Sequence, residues 1–317
     1  MTNPSGNDYV VRAGKTAEGP FSLVVSPETA GWTYSSLRVL ELQPGTGATF
    51  ATGEDETIVL PLSGGCRVEC DGETFDITGR RSVFSRVSDF AYVPRDAEVT
   101  VSSAGGGRFA LPAARATRRL PARYGPAEGV SVELRGAGQA SRQVNNFCNP
   151  QTFDADKLIA VEVLTPGANW SSFPPHKHDE ERAGEAQLEE VYYFEVDRDG
   201  PAYQRVYTSG PGREIDVCAE VRSGDTVLIP HGWHGPSMAT PGYDLYYLNV
   251  MAGPSPDRAW LICDDPAHAW VRGTWEDQEI DPRLPLTTTE EKDVSELASS
   301  PLDTASPDRA TSVSEEQ

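Results

Sequence analysis

Short apolar runs recur along the chain as SLRVLEL, TIVLPLSG, FAYVP, LIAVEVL, VYYFEV, TVLIP and DLYYLNVM, each closed off by turn-forming residues. Runs of this length, rich in β-branched and aromatic side chains, read as strands. No stretch shows a convincing 3.6-residue period, so the expected class is all-β, a sandwich or barrel rather than an α/β sheet. The 29 glycines and 25 prolines supply the punctuation such a fold needs. A length of 317 residues fits two domains or one duplicated unit, with enough apolar material for a core.

An internal repeat turns the class into an architecture. Val39 to Gly45 (VLELQPG) aligns with Val161 to Gly167 (VEVLTPG), pairing Pro44 with Pro166 and Gly45 with Gly167. The same offset sets Glu54 and Glu56 against His176 and His178, and an insertion sets AYVPRDAE against VLIPHGWH. The first half is then a scaffold and the second holds the chemistry. The expected organisation is a polar arm over residues 1–20, a first barrel over 21–130, a second over 131–286 and an acidic tail over 287–317. Residues 112–145, rich in Ala, Arg and Gly, read as a connector between halves. The tail has almost no aromatic residue to offset the entropy of ordering, so it is expected to be disordered.

All five histidines (176, 178, 231, 234 and 268) fall in the second half. On an extended strand His176 and His178 face one side while Lys177 faces the other, so both imidazoles can close on one ion. Glu190 opens the next strand and shares a face with Tyr192 and Phe194; His234 follows the turn-like IPHGWHG. His176, His178, Glu190 and His234 thus form a candidate metal set suited to Zn, Mn, Fe, Ni or Cu, with positions left open for substrate or water. Glu189 is the rival to Glu190, on the opposite strand face. His231 is the rival to His234 and reads as a turn histidine.

The net charge of −21 argues against nucleic acid or an anionic membrane as partner. No stretch is long enough to cross a bilayer, and five cysteines without a CxxC pair fit a reducing cytoplasm. Cys66 and Cys70, on one strand, read as buried thiols.

The segments ETIVLPLSGGCRVECDGETF, FAYVPRDAEVTV, SRQVNNFC, NWSSFPPHKHDE, QLEEVYYF, QRVYT and GYDLYYLNVMAGP resemble the cupins, and more closely the bacterial 5-deoxy-glucuronate isomerase family of myo-inositol catabolism. The resemblance covers residues 20 to 275. It implies a bicupin, two jelly-roll barrels in one chain, and places His176, His178, Glu190 and His234 on the family's metal-ligand positions. It implies one divalent ion per chain, Zn or Mn, a small sugar acid as substrate, a cytoplasmic location, and is compatible with a homo-oligomer. The implied reaction is isomerisation of 5-deoxy-D-glucuronate to 2-deoxy-5-keto-D-gluconate. The chain departs from the general cupin pattern in the acidic insertion DEERAGEAQLE between His178 and Glu190, and in the closeness of His234 to Gly232.

An anionic substrate inside an acidic protein needs local cations, for which Lys177, Arg182 and Arg205 are candidates. Tyr192, Gln204, Tyr246 and Asn249 are candidates for hydrogen bonds to sugar hydroxyls from the barrel wall. Glu180 and Glu189 are candidates for the base that moves the proton. The competing readings are isomerisation of a related keto-deoxyuronate, a cupin dioxygenase, and a non-catalytic sugar-binding bicupin.

Overall fold

The computed structural model describes residues 9–292, which are almost entirely strands and turns. A curled nine-stranded sheet contains strands from Phe21–Val25 to Arg123–Gly125. From Ser131–Arg135 onward the strands belong to two other sheets. One is seven-stranded, with Glu189–Val196, Leu245–Ala252 and Ile159–Thr165 side by side at its centre; the other is six-stranded and carries Trp233–Ala239 and His176–Lys177. No helix among the described residues is long and apolar enough to cross a membrane.

Burial divides into three clusters because the central strands are apolar on both faces. In the first half Leu40, Val59, Phe109 and Leu111 fill the inside of the curled sheet. In the second, Val161, Tyr192, Phe194, Tyr247 and Met251 fill the space between its two sheets, against Val206 and Val217. Alternate residues on the same strands turn outward: Leu37, Val39, Ile58 and Leu60 meet Val191, Tyr193, Tyr246, Leu248 and Val250 in a core between the halves. Strands buried on both sides lose the polar alternation of a half-exposed sheet, which is why the sequence shows continuous runs such as VYYFEV. Cys66, Cys70 and Cys148 are free and buried, and burial pushes the Cys66 and Cys148 thiols up to about 12.

Two carboxylates lock the halves together in matching ways. Glu56 accepts the backbone N–H groups of Asp156, Lys157 and Leu158 at 2.8, 2.5 and 2.7 Å. Glu189 accepts those of Thr33, Tyr34 and Ser35 at 2.8, 2.7 and 3.0 Å. Each reaches from one half to the start of a strand in the other. Between them Arg80 and Glu162 form a fully buried ion pair, with Tyr246 Oη and Asn145 Nδ2 donating to the same carboxylate at 2.9 and 3.1 Å.

The ladders correct the repeat. Following the pairing of corresponding strands sets Glu56 against Glu189, Thr57 against Glu190, and Ser36 against Ile159. Val39 therefore corresponds to Glu162, one residue beyond Val161. The slip matters because one residue exchanges sheet faces: Val39 lies in the core between halves, and Val161 lies inside the second barrel. Val93 and Ile229 correspond, and on the strands that follow them Glu98 and His234 pair with Ala51 and His176 respectively. Ala51, rather than Glu54, holds the position of His176.

The chain ends also depart from expectation. Val10–Val11 is a strand paired with Thr226 and Val227 in the second half, and Arg12 and Ala13 bond Asp225, so residues 9–13 are not a free polar arm. The expected connector over 112–145 is largely strand, since Gly107–Arg115, Arg123–Gly125, Ser131–Arg135 and Arg142–Cys148 occupy most of it. Residues 287–292, assigned to the tail, dock on both halves. Thr287 is buried and bonds Gln143, Val87 N donates to Thr288 O at 2.7 Å, and Lys292 N donates to Ser85 O at 3.0 Å. Backbone pairing and the buried Leu286 supply the order that composition did not indicate. The rest of the expected tail, and residues 1–8, lie outside the described residues.

Candidate metal centre

His176 and His234 sit directly opposite each other on adjacent strands, and His178 follows where the short His176–Lys177 strand ends. Two glycines let the His234 strand come this close. Gly232 has φ +98°, and Gly235 has φ +102° with its Cα packed so tightly that an added Cβ would lie 1.9 Å from Ser172 O. Glu190 approaches from the other sheet of the same barrel, one residue after Glu189, so it faces inward where Glu189 faces out.

The metal-capable nitrogens of His176, His178 and His234 lie within 4.8 Å of one another. The Nε2 atoms of His178 and His234 each stand 3.1 Å from Glu190 Oε2. Their orientation is fixed from behind: His178 Nδ1 lies 3.2 Å from Leu188 O, and His234 Nδ1 lies 3.2 Å from Gly232 O. A ring that donates its Nδ1 proton to a carbonyl presents a lone pair at Nε2. Among the described residues His234 Nε2 is buried without a hydrogen-bond partner despite the nearby carboxylate oxygen. A lone pair facing a carboxylate oxygen is repulsive unless positive charge lies between them, and His₃Glu is a suitable donor set for a divalent metal ion.

Electrostatics divide the four groups. Burial, followed by the neighbouring imidazoles, holds His176 and His234 well below the usual histidine range, so both are neutral donors. Burial also lowers His178, but the hydrogen bond and charge of Glu190 outweigh it and raise the group. Glu190 is raised by burial, with His178 opposing.

His176 opens onto a cavity of about 200 Å³. Tyr192, Tyr247, Ser172 and Asn249 provide polar wall, Val144, Val163, Trp260 and Ile262 apolar wall, and Arg135, Arg142 and Arg272 the cationic part. Burial keeps the Tyr192 phenol well above its ordinary range, so it remains a donor. Asn249 Oδ1 is buried with no hydrogen-bond partner among the described residues. Arg142, pushed down to about 10 by burial, stays charged at neutral pH.

Of the expected substrate contacts, only Tyr192 and Asn249 line this cavity. Lys177 points away, as strand parity predicts, and its Nζ is buried among Asp179, Glu180 and Glu185 at 2.6, 3.0 and 2.7 Å. That acidic group is the insertion folded round its own lysine. Arg182 pairs with Glu185 in the same cluster at 2.7 Å. Arg205 pairs with Asp216, Gln204 bonds Ser237 in the six-stranded sheet, and Tyr246 faces Glu162 in the core between halves. Neither expected base reaches the site: Glu180 sits with Lys177, Arg182 and Arg213, and Glu189 is the clasp described above. His231 is half-buried and separate from the cluster of three. Sequence reasoning missed the three arginines, and the signal was available: Arg135 and Arg142 flank the glycine-rich turn GAGQAS at positions a hairpin would bring together.

Residues 9–271 match the KduI/IolB family. The chain is 41% identical over 251 residues to a 5-deoxy-glucuronate isomerase of Geobacillus thermodenitrificans, covering 78% of this chain and 89% of that one. It is 37% identical over 251 residues to the enzyme of the same name from Bacillus subtilis, covering 78% and 91%. The crystal structure of an IolB-like protein from Salmonella typhimurium LT2 superposes with a TM-score of 0.77 at 35% identity, covering 83% of this chain and 98% of that one. Lactobacillus farciminis oxalate decarboxylase shares the fold, with a TM-score of 0.57 at 13% identity over 81% of this chain and 88% of that one. The fold is all-β and of the bicupin type.

Proposed function

Since the chain belongs to the KduI/IolB family and is an isomerase, we propose that it converts 5-deoxy-D-glucuronate to 2-deoxy-5-keto-D-gluconate with the aid of one divalent metal ion. The observation that carries the metal dependence is the convergence of two imidazole nitrogens on one carboxylate oxygen, with the buried His234 Nε2 lacking any other partner. His176, His178, Glu190 and His234 would hold the ion. When bound, a divalent ion supplies Lewis acidity toward the carbonyl and adjacent hydroxyl oxygens, favouring transfer of a proton from C2 to C1.

The chain's own groups do the positioning. Tyr192 keeps its proton and donates to a substrate oxygen, while Asn249 Oδ1, left without a partner by the fold, accepts from a hydroxyl. Ser172 Oγ stands 3.0 Å from Tyr247 Oη and 3.4 Å from Tyr192 Oη, linking the two phenols along one wall. Val144, Val163, Trp260 and Ile262 exclude bulk water from the reacting carbons.

The test is metal analysis of the purified protein, followed by assays on 5-deoxy-D-glucuronate and on the keto-deoxyuronate from pectin breakdown, under air and without oxygen. The expected result is one equivalent of divalent metal and anaerobic isomerisation that prefers 5-deoxy-D-glucuronate. In deuterated water, deuterium should appear at C6 of the product, the carbon that was C1 of the substrate. Preference for the pectin-derived acid would replace the substrate, and turnover that depends on oxygen would replace the reaction.

A further inference from the structure

Three arginines reach the cavity that His176 opens onto, and their charges are not equivalent. Arg135 donates from Nε and Nη2 to both oxygens of Glu133 at 2.9 and 2.8 Å. Arg272 is held in the same way by both oxygens of Asp264. Each of these guanidiniums brings its own neutralising carboxylate. Arg142 does not: among the described residues it forms no ion pair, and its hydrogen bond runs from Nη1 to Ala140 O at 3.0 Å.

Arg142 is only 6% exposed, so bulk solvent screens its charge poorly. The ladder adds to the cost, because Arg142 stands directly opposite Arg135 and like charges facing across a sheet repel. Local backbone nonetheless makes room for it. An added Cβ on Gly136 would lie 2.8 Å from Arg142 Nη1, and Trp275 places its ring 5.7 Å beneath the guanidinium. A protein with a net charge of −21 has many carboxylates with which to pair a buried cation. Leaving one unpaired, in the wall of a cavity, points to an anion supplied from outside.

We propose that Arg142 receives the carboxylate of the substrate, binding it through paired N–H groups and so directing the aldehyde end of the sugar acid toward His176, His178, Glu190 and His234. Arg135 and Arg272 are positioning residues, each already neutralised, that narrow the approach. The identity of the sugar acid rests on the function proposed above. The ligand class, a small organic carboxylate, rests on the arginine itself.

Two measurements on the full-length, metal-loaded protein test this. The first compares kcat/KM for 5-deoxy-D-glucuronate with that for its uncharged counterpart 5-deoxy-D-glucose, in wild type, Arg142→Lys and Arg142→Met. Loss of a charge-assisted bidentate contact predicts a drop on the acid of roughly 10- to 100-fold in Arg142→Met, mostly in KM, with the neutral sugar changed by less than about 2-fold. Arg142→Lys should fall between, since an ammonium keeps the charge and loses the fork. Equal losses on both sugars, or no loss on the acid, would overturn the assignment. Should Arg142→Met fail to fold, the acid-to-neutral ratio in Arg142→Lys decides alone.

The second measurement needs no turnover: the thermal shift produced by D-glucuronate, with D-glucose as control. Glucuronate should stabilise the wild type and not Arg142→Met. Stabilisation of both to the same degree would reject the arginine even if isomerase activity stands. A wild type that turns over neither deoxy-sugar would remove the proposed function, while the glucuronate shift would still decide the role of Arg142.

Discussion

At the scale of single residues, the four side chains around the candidate centre differ from their neighbours in what faces them. His176→Ala, His178→Ala, Glu190→Ala and His234→Ala are each expected to lose the bound metal while far-UV circular dichroism stays that of the wild type, because the apolar clusters are built from other residues. His231→Ala should keep its metal, and elemental analysis of the variants separates the two outcomes. This part of the site was legible because strand parity is a local rule: it turns His176 and His178 one way, Lys177 the other, and distinguishes Glu190 from Glu189. Parity does not say what lies beyond the strand. Lys177 and Arg182 looked like anion receptors and are instead neutralised by the insertion's own acids, whereas Arg142 was hidden in a stretch that composition presented as a connector.

At the scale of strands and their ends, Glu56 and Glu189 are equivalent devices, each closing three backbone N–H groups of the opposite half. Glu189→Ala and Glu56→Ala should each destabilise the protein by about 3 kcal/mol or more, since hydrogen bonds to a charged acceptor are lost and buried donors are left open. Chemical denaturation checks the size. Metal content in Glu189→Ala checks the role, because a clasp residue leaves it intact. Asp156 gives the same junction a pH dependence. Burial opposes ionisation there, but hydrogen bonds from Arg118 and Thr117 hold the group down to about 2 against an ordinary 3.8. A depressed folded value contributes stability that is complete above the ordinary value and is lost as pH falls toward 2. The melting-temperature gap between wild type and Asp156→Asn should therefore be constant near neutrality and narrow below pH ~4. The duplication was visible in the VLELQPG and VEVLTPG turns, but its register was not. Only the ladders reveal that Val39 matches Glu162, because an insertion and a bulge leave short segments free to align one residue out.

At the scale of the molecule, the described ends of the chain are exchanged: the first strand completes a sheet of the second half, and residues 288–292 dock on the first. A chain ending after Pro285 should melt well below one ending after Lys292, since it loses the buried Leu286 and Thr287 and the pairing to Ser85 and Val87. Differential scanning calorimetry of the two truncations makes the comparison. The strand content was legible from the apolar runs, and the two-barrel plan from the repeat and the family resemblance. The exchange was not, because VV and LTTT carry no long-range signal and are placed by what pairs with them.

The exchanged ends also set the order of events during synthesis. Val10 leaves the ribosome early, yet its partner Val227 is made some 200 residues later. At about 5–20 residues per second, the interval is on the order of 10–40 s. Throughout it, the first sheet can curl from residues already available, while the opening strand, the Glu56 clasp and the outer face of Leu37, Val39, Ile58 and Leu60 still await their partners. The nascent chain therefore presents a sticky apolar surface until the second half has emerged, making that half the chaperone of the first as much as the first is its support.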